Sequence, residues 1–141
     1  MRAPFDRCGE IEKPNMPSPE TLERFIARVE SNAHAEAVEE FYADNATMQE
    51  NQDPPRVGRA NHVAREKMVI ARTQSMRSQC VRPVFVNGEH VVIHWIFHFV
   101  WKDGAFMHMD ELALQRWEGE RIVEEVFYYD PAQRAARPVE S

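Results

Sequence analysis

The chain has 141 residues, 43% of them hydrophobic and 28% charged, which is typical of a single soluble globular domain. A formal net charge of −6, with no dense cluster of Lys and Arg, argues against a general nucleic-acid-binding protein. Cys8 and Cys80 are isolated and suggest no disulfide framework, so a cytoplasmic setting is expected.

The N-terminal segment, residues 1–17, is predicted to be a flexible arm because it carries three of the nine prolines and no hydrophobic periodicity. Acidic residues between positions 6 and 12 interrupt the apolar stretch that a secretory signal would need. We expect the folded domain over residues 18–131 and a tail rich in Arg, Ala and Pro over 132–141.

Three helices are predicted in the first half of the chain. Ser18 and Pro19 form an N-cap followed by a first-turn proline, and apolar residues recur at helical spacing as far as Val29. A second helix is expected from 35 to 42 and a third from 59 to 76. Between them lie a short strand, residues 46–50, and a proline-containing loop.

The second half of the chain predicts a run of antiparallel strands. They are expected at residues 79–87, 90–101, 105–118 and 121–129, separated by turns that contain glycine. Helices that are segregated from antiparallel strands indicate an α+β fold, with three N-terminal helices packed on a curled, mostly antiparallel sheet. Such a sheet encloses a cavity where the helices do not fill it.

The two central strands are predicted to form a hairpin through the two-residue turn Asp103-Gly104. This turn would place His94 opposite Ala113. Because side chains alternate along a strand, this register separates two faces. One face would carry His90, His94, His98, Glu111, Gln115 and Trp117; the other would carry Trp95, Phe97, Phe99, Trp101, Phe106, Leu112 and Leu114.

Each predicted face suggests a role. The aromatic residues Trp95, Phe97, Phe99 and Trp101 would form a large apolar patch on a monomer, so we expect them to join two copies into a homodimer through the outer sheet face. The histidine face would then look into the cavity. The opposite assignment, with the aromatic residues inward and the histidines outward, remains open because one β-bulge would exchange the faces.

Several segments together resemble the nuclear transport factor two-like superfamily, particularly its SnoaL-like branch. They are Phe41-Tyr42-Ala43-Asp44-Asn45-Ala46-Thr47, then Gly58, then Trp117-Glu118-Gly119-Glu120-Arg121-Ile122-Val123-Glu124, and finally Tyr128-Tyr129-Asp130. The resemblance covers about residues 19–131. It implies a cone-shaped α+β barrel with an apolar pocket, a fold that hosts isomerases, cyclases, dehydratases, epoxide hydrolases and non-catalytic modules.

Residues of two enzyme groups in this superfamily can be compared with the chain. In ketosteroid isomerase-like members a carboxylate base follows the Tyr-Ala-Asp segment, and Glu50 occupies that place. The two oxyanion donors of those enzymes correspond to Ile26 and Ala113, which cannot donate. The Asp-Arg-Asp set of limonene epoxide hydrolase-like members corresponds to His94, Ile96 and Phe127, so neither standard chemistry is expected.

The sequence therefore predicts a pocket for a small, mostly apolar carbonyl compound. Glu50 and His94 are the candidate catalytic residues, because a carboxylate in an apolar cavity can act as a base near neutral pH. The candidate substrate-binding residues are Glu111, Gln115, His98, Trp117, Phe127 and Tyr129.

Two functions remain open: an acid/base isomerase, lyase or cyclase, and a non-catalytic ligand-binding or dimerisation module of the same fold. No organic cofactor is implied, and neither nucleic acid nor a membrane is an expected partner. Histidines four apart on a strand lie roughly 13 Å apart, so His90, His94 and His98 cannot share one metal ion.

Overall fold

The computed structural model of the protein describes residues 15–138. Its helices are α1 (Pro19–Glu30), α2 (His34–Phe41) and α3 (Arg59–Arg72). Its strands are β1 (Tyr42–Glu50), β2 (Arg56–Val57), β3 (Thr73–Asn87), β4 (His90–Trp101), β5 (Phe106–Glu118) and β6 (Arg121–Tyr128). A 3-10 turn at Pro131–Arg134 follows the last strand.

The strands form one six-stranded sheet in the order β2-β1-β6-β5-β4-β3. Every neighbouring pair is antiparallel except β1 and β6, which are parallel. The α+β prediction is confirmed. The predicted barrel is corrected, because the sheet is open in residues 15–138, with β2 and β3 at its edges.

The predicted boundaries need two corrections. The third helix ends at Arg72 rather than near 76, and β3 begins at Thr73 because its first residues pair with the end of β4. The first strand begins at Tyr42, immediately after α2, and is therefore longer than predicted. In both places pairing with another strand extends an element beyond its local signal.

The predicted hairpin register is wrong by one residue. The turn contains three residues, Lys102 to Gly104, and Trp101 donates to the carbonyl of Ala105 at 2.8 Å. Gly104 has φ of 90°, the left-handed conformation that a three-residue hairpin needs at its last position. A shift of one residue exchanges the two faces of a strand. Each side chain of β5 therefore lies on the face opposite to the predicted one, relative to β4.

The corrected register places the aromatic residues of β4 inside the molecule. Trp95 lies opposite Glu111, and Phe97 lies opposite Met109. Burial alternates along β4, with Val91 and Trp95 among the inward residues. The predicted dimer surface of Trp95, Phe97, Phe99 and Trp101 is therefore corrected, since these side chains pack into the protomer. The dimer itself stays a prediction.

The helices cover the inner face of the sheet and close the core. The ring of Phe25 on α1 lies at the centre, with its centroid 5.9 Å from that of Trp117 and 6.4 Å from that of Trp95. Helix α1 is held by the N-cap Ser18, whose hydroxyl accepts from the amide of Thr21. No helix within residues 15–138 has the length and apolar character to cross a membrane.

The domain boundaries of 18–131 stay a prediction. Residues 1–14 of the predicted arm and the last three residues of the predicted tail lie outside the described range. Within that range, Arg137 of the tail forms a β-bridge with Phe106, and Asn15 accepts a hydrogen bond from Gly119. The two ends of the described chain therefore contact β5 and the turn that follows it.

Candidate active site

A cavity of about 210 Å³ lies between the helices and the inner face of the sheet. Its walls are mainly apolar and come from all three helices and from every strand except β3. Aromatic rings from α1, β4 and β6 supply much of the surface: Phe25, Trp95, Phe97, Phe99, Trp101 and Phe127. A pocket of this kind suits a small apolar molecule bound by a few polar groups.

Glu111 is the most unusual of the polar groups. Its position on β5, opposite Trp95, directs it to the inner face, where the residue is only 8% exposed. Among residues 15–138 its carboxyl group has neither a hydrogen-bond nor an ion-pair partner, yet it lines the cavity. Burial, followed by the charges of Glu125, Glu50 and Glu66, raises the pKa of Glu111 to about 8.

Glu125 is a second buried carboxyl, and each of its two oxygens accepts a hydrogen bond. Tyr42 donates a short hydrogen bond to one carboxylate oxygen, and the amide of Gln115 donates to the other at 2.6 Å. The indole of Trp117 in turn donates to the amide oxygen of Gln115 at 3.0 Å. Burial raises the pKa of Glu125 to about 7, and the hydrogen bonds from Gln115 and Tyr42 oppose the rise.

Burial, together with the neighbouring Glu125 carboxyl, raises the pKa of Tyr42 well above its usual value. The tyrosine therefore remains a hydrogen-bond donor at every physiological pH. In the Trp117–Gln115–Glu125–Tyr42 hydrogen-bond chain, Tyr42 and Glu125 form a fixed polar part of the cavity wall, and Gln115 and Trp117 hold Glu125 from behind.

Glu50 lies at the end of β1, where it lines the cavity with its side chain 21% exposed. One carboxylate oxygen accepts from Arg56 at 2.6 Å across the short β1–β2 pair. The other oxygen has no partner among the described residues and can accept a proton. Glu66 of α3 completes the acidic set, with His34 at 3.8 Å from its carboxylate.

The structure brings together only part of the predicted site. Glu50, Glu111 and Phe127 line the cavity. Gln115 and Trp117 are fully buried and support Glu125 rather than lining the cavity.

Tyr129 lies beside the cavity walls as a partly buried residue that accepts a hydrogen bond from Arg134. Burial raises the pKa of Tyr129, whereas the hydrogen bond from Arg134 opposes the rise.

His94 and His98 lie on the outer face of the sheet, so their predicted place in the pocket is corrected. His94 is paired with Asp110 at 2.6 Å, and the ring of His98 lies beside that of His108, 5.8 Å between centroids. The histidines lie outside because the aromatic residues that alternate with them on β4 take the inner face, and the three-residue turn places Glu111 and Gln115 on that inner face. Within the described residues no three potential ligands converge on a metal position.

The sequence did not predict Glu125 as a cavity residue, because the local alternation of the strand favours Glu124 instead. Strand alternation from the buried Ile122 would turn Glu124 inward and Glu125 outward. A β-bulge shifts the register between the Arg116–Glu124 and Trp117–Ile122 pairs, which reverses this assignment. Glu124 is instead exposed and bonded to Arg116 at 3.1 Å.

Comparison with known proteins agrees with this architecture. Residues 22–125 match the sequence profile described as SnoaL-like domain. The chain belongs to the SnoaL-like domain family. Its fold is that of the nuclear transport factor two-like superfamily, as the sequence resemblance predicted. No curated protein gives a significant sequence match.

Solved structures of the same fold are distant in sequence. A protein of Mesorhizobium loti with the provisional name SnoaL-like polyketide cyclase is 22% identical, with a TM-score of 0.65 over 78% of this chain and 97% of that one. A ketosteroid isomerase-like protein from Catenulispora acidiphila, solved with trimethylamine, is 19% identical, with a TM-score of 0.67 over 82% and 88%. An epoxide hydrolase from M. tuberculosis is 11% identical, with a TM-score of 0.66 over 81% and 83%.

Proposed function

We propose that this SnoaL-like protein is an acid/base enzyme of the isomerase, lyase or cyclase kind that acts on a small apolar carbonyl compound. The observation that carries the proposal is the buried carboxyl of Glu111, which has no partner among residues 15–138 and lines an otherwise largely aromatic cavity. A carboxyl that remains protonated near neutral pH can donate a hydrogen bond to a substrate carbonyl.

Glu50 is the base in this proposal. It would take the proton next to the carbonyl, while Glu111 donates to the carbonyl oxygen on which negative charge develops. Arg56 fixes the Glu50 carboxylate through one oxygen and leaves the other for the substrate. Tyr42 and Glu125, supported by Gln115 and Trp117, form the polar part of the cavity wall beside these two carboxyls. His94 has no part, since it lies on the other face of the sheet.

Exchange of α-protons in D₂O tests the proposal without knowledge of the natural substrate. Small cyclic ketones, followed by proton NMR, should incorporate deuterium faster with the wild-type protein than with buffer. We expect Glu50→Gln to lower the enzymatic rate by about 100-fold or more, the usual contribution of a general base. Glu124→Gln, which changes an exposed neighbouring carboxylate, should leave the rate unchanged.

The pH dependence tests Glu111 separately. Because the protonated form is the donor, the rate should fall about tenfold per pH unit above about pH 8. Glu111→Gln keeps an amide donor and should retain more activity than Glu111→Leu, while both lose that pH limb. Equal exchange by wild type and Glu50→Gln would exclude the base. Ketone binding without exchange would favour the non-catalytic ligand-binding module.

A further inference from the structure

We propose that the same cavity binds small quaternary ammonium ions, which pair with the carboxylate form of Glu111 among the aromatic rings. This ligand class goes beyond the proposed carbonyl chemistry and does not depend on it. The proposal stands on the charges that surround Glu111, on its burial without a partner, and on the walls of the cavity.

The charged and titratable groups that line the cavity leave one position for a cation. They are Glu50, Glu66, Glu111, Glu125, Arg56, His34 and Tyr42, and Tyr42 stays neutral because burial raises the pKa of its hydroxyl. Each cationic candidate lies beside a carboxylate other than Glu111: Arg56 contacts Glu50 at 2.6 Å, and His34 lies 3.8 Å from Glu66.

Glu125, whose charge raises the pKa of Glu111 more than the charge of any other residue does, is itself held by Tyr42 and Gln115. The charges that shift the pKa of Glu111 therefore all belong to acidic residues, Glu125, Glu50 and Glu66. The same acidic surroundings disfavour an anionic ligand.

The walls around Glu111 suit an ammonium ion that cannot donate hydrogen bonds. Trp95, directly opposite Glu111 on the ladder, is stacked with Phe97 at 5.5 Å between ring centroids. Phe99 and Trp101 form a second stacked pair at 5.4 Å. Aromatic rings attract cations through their negative faces, and the attraction grows where water is excluded, as in sites that recognise choline. An uncharged ligand of equal shape gains only the apolar contacts.

Ammonium binding must remove the proton from Glu111. Burial raises the pKa of this carboxyl to about 8, so the free protein holds the proton at pH 7 and deprotonation reduces the apparent affinity about tenfold there. In a site of low dielectric constant a cation attracts the neighbouring carboxylate more strongly than it would in water. This attraction offsets the free-energy cost of deprotonation. Binding should therefore release a proton, which a purely apolar interaction would not do.

Isothermal titration calorimetry with choline and its uncharged isostere 3,3-dimethylbutan-1-ol tests the proposal. We expect choline to bind at least tenfold more tightly at pH 8. Titration in phosphate and Tris buffers at pH 7 should show release of about 0.9 proton per choline. The affinity for choline should fall about 50-fold from pH 8 to pH 6, whereas the affinity for the isostere stays constant.

Two variants distinguish a specific ion pair between choline and Glu111 from a general attraction of the cation to the acidic cavity. Glu111→Gln, which resembles the neutral carboxyl of the free protein, should lose the preference for choline and the proton release while it still binds the isostere. Glu66→Gln removes a carboxylate nearer the solvent and should keep the proton release. Equal affinity for the two compounds, choline binding without proton release, or no choline binding would overturn the proposal. Ketone exchange is measured without choline, so either proposal can fail alone.

Discussion

Glu111 and Glu125 are both buried carboxyls, but only Glu125 has hydrogen-bond donors on both oxygens. A buried carboxylate without hydrogen-bond donors has a large free-energy cost, so the two groups are suited to different roles. Glu125 supports the wall, and Glu111 is available to a ligand. The sequence predicted Glu111 in the pocket on the histidine face; the structure places it in the cavity on the aromatic face, opposite Trp95.

The hydroxyl of Tyr42 is expected to stabilise the carboxylate form of Glu125. Tyr42→Phe keeps the ring and removes this donor, which should lower the free energy of unfolding by about 1–3 kcal/mol. The loss should be larger at pH 8 than at pH 5, because the protonated carboxyl at pH 5 depends less on a donor. Urea denaturation of both proteins at the two pH values measures this.

Tyr128→Phe is the control for that measurement, because Tyr128 is 43% exposed and its change should stay within about 0.5 kcal/mol. Equal stability of Tyr42→Phe and the wild type at pH 8 would contradict the role of the hydroxyl.

The β4–β5 hairpin shows how one turn residue determines which side chains meet the cavity. The sequence predicted both strands and the Asp-Gly turn, and these features are local. It could not distinguish a two-residue from a three-residue loop, because Lys102 is compatible with either. Pairing of Lys102 with the carbonyl of Arg72, at 2.9 Å, places it in the loop instead of the ladder. The register therefore depends on a contact with α3.

Deletion of Lys102 should preserve the observed register. The remaining Asp103 and Gly104 can form a two-residue type I′ turn, and Trp101 would still pair with Ala105. Loss of the hydrogen bond to Arg72 should cost about 1 kcal/mol in the free energy of unfolding. Circular dichroism and urea denaturation measure whether the fold is retained.

Deletion of Ala105 is the matched comparison, since it shortens the chain by one residue but leaves the three-residue loop. It should shift β5 by one position and turn Glu111 toward the outer face, which places the neighbouring Asp110 and Leu112 inside. We expect this variant to lose cooperative unfolding. Equal stability of the two deletion variants would show that the turn does not determine the faces.

At the scale of the whole molecule, pairing between distant segments accounts for what the sequence did not predict. The meander from β3 to β6 follows from strands and turns that are neighbours in the chain, and it was predicted in the correct order. The parallel pairing of β1 with β6 joins segments about 80 residues apart, and no local pattern specifies it. This pairing brings Glu50 and Glu125 to the same cavity.

The buried carboxyls also make the stability of the whole domain depend on pH. Burial raises the pKa of Glu111 to about 8 and that of Glu125 to about 7, whereas both are near 4.5 when the chain is unfolded. At these two carboxyls the folded state therefore binds more protons than the unfolded state between pH 4.5 and 8. The stabilisation is fully present below pH 4.5 and is lost as the pH rises through the folded-state pKa values, by about 1.4 kcal/mol per pH unit for each group.

Urea denaturation at pH 5, 6.5 and 8 should show a free energy of unfolding that decreases at each step. Glu111→Gln has no proton to lose at this position, so its decrease should be smaller and should end near pH 7, where only Glu125 still titrates. The exposed carboxylates Glu23 and Glu124 are paired with arginines that lower their pKa, so they act in the opposite direction and only at acidic pH. Burial lowers the pKa of His62, which opposes the decrease below about pH 6.5, so the decisive interval is the upper one. A wild-type stability that rises from pH 6.5 to pH 8 would contradict the buried, protonated state of Glu111.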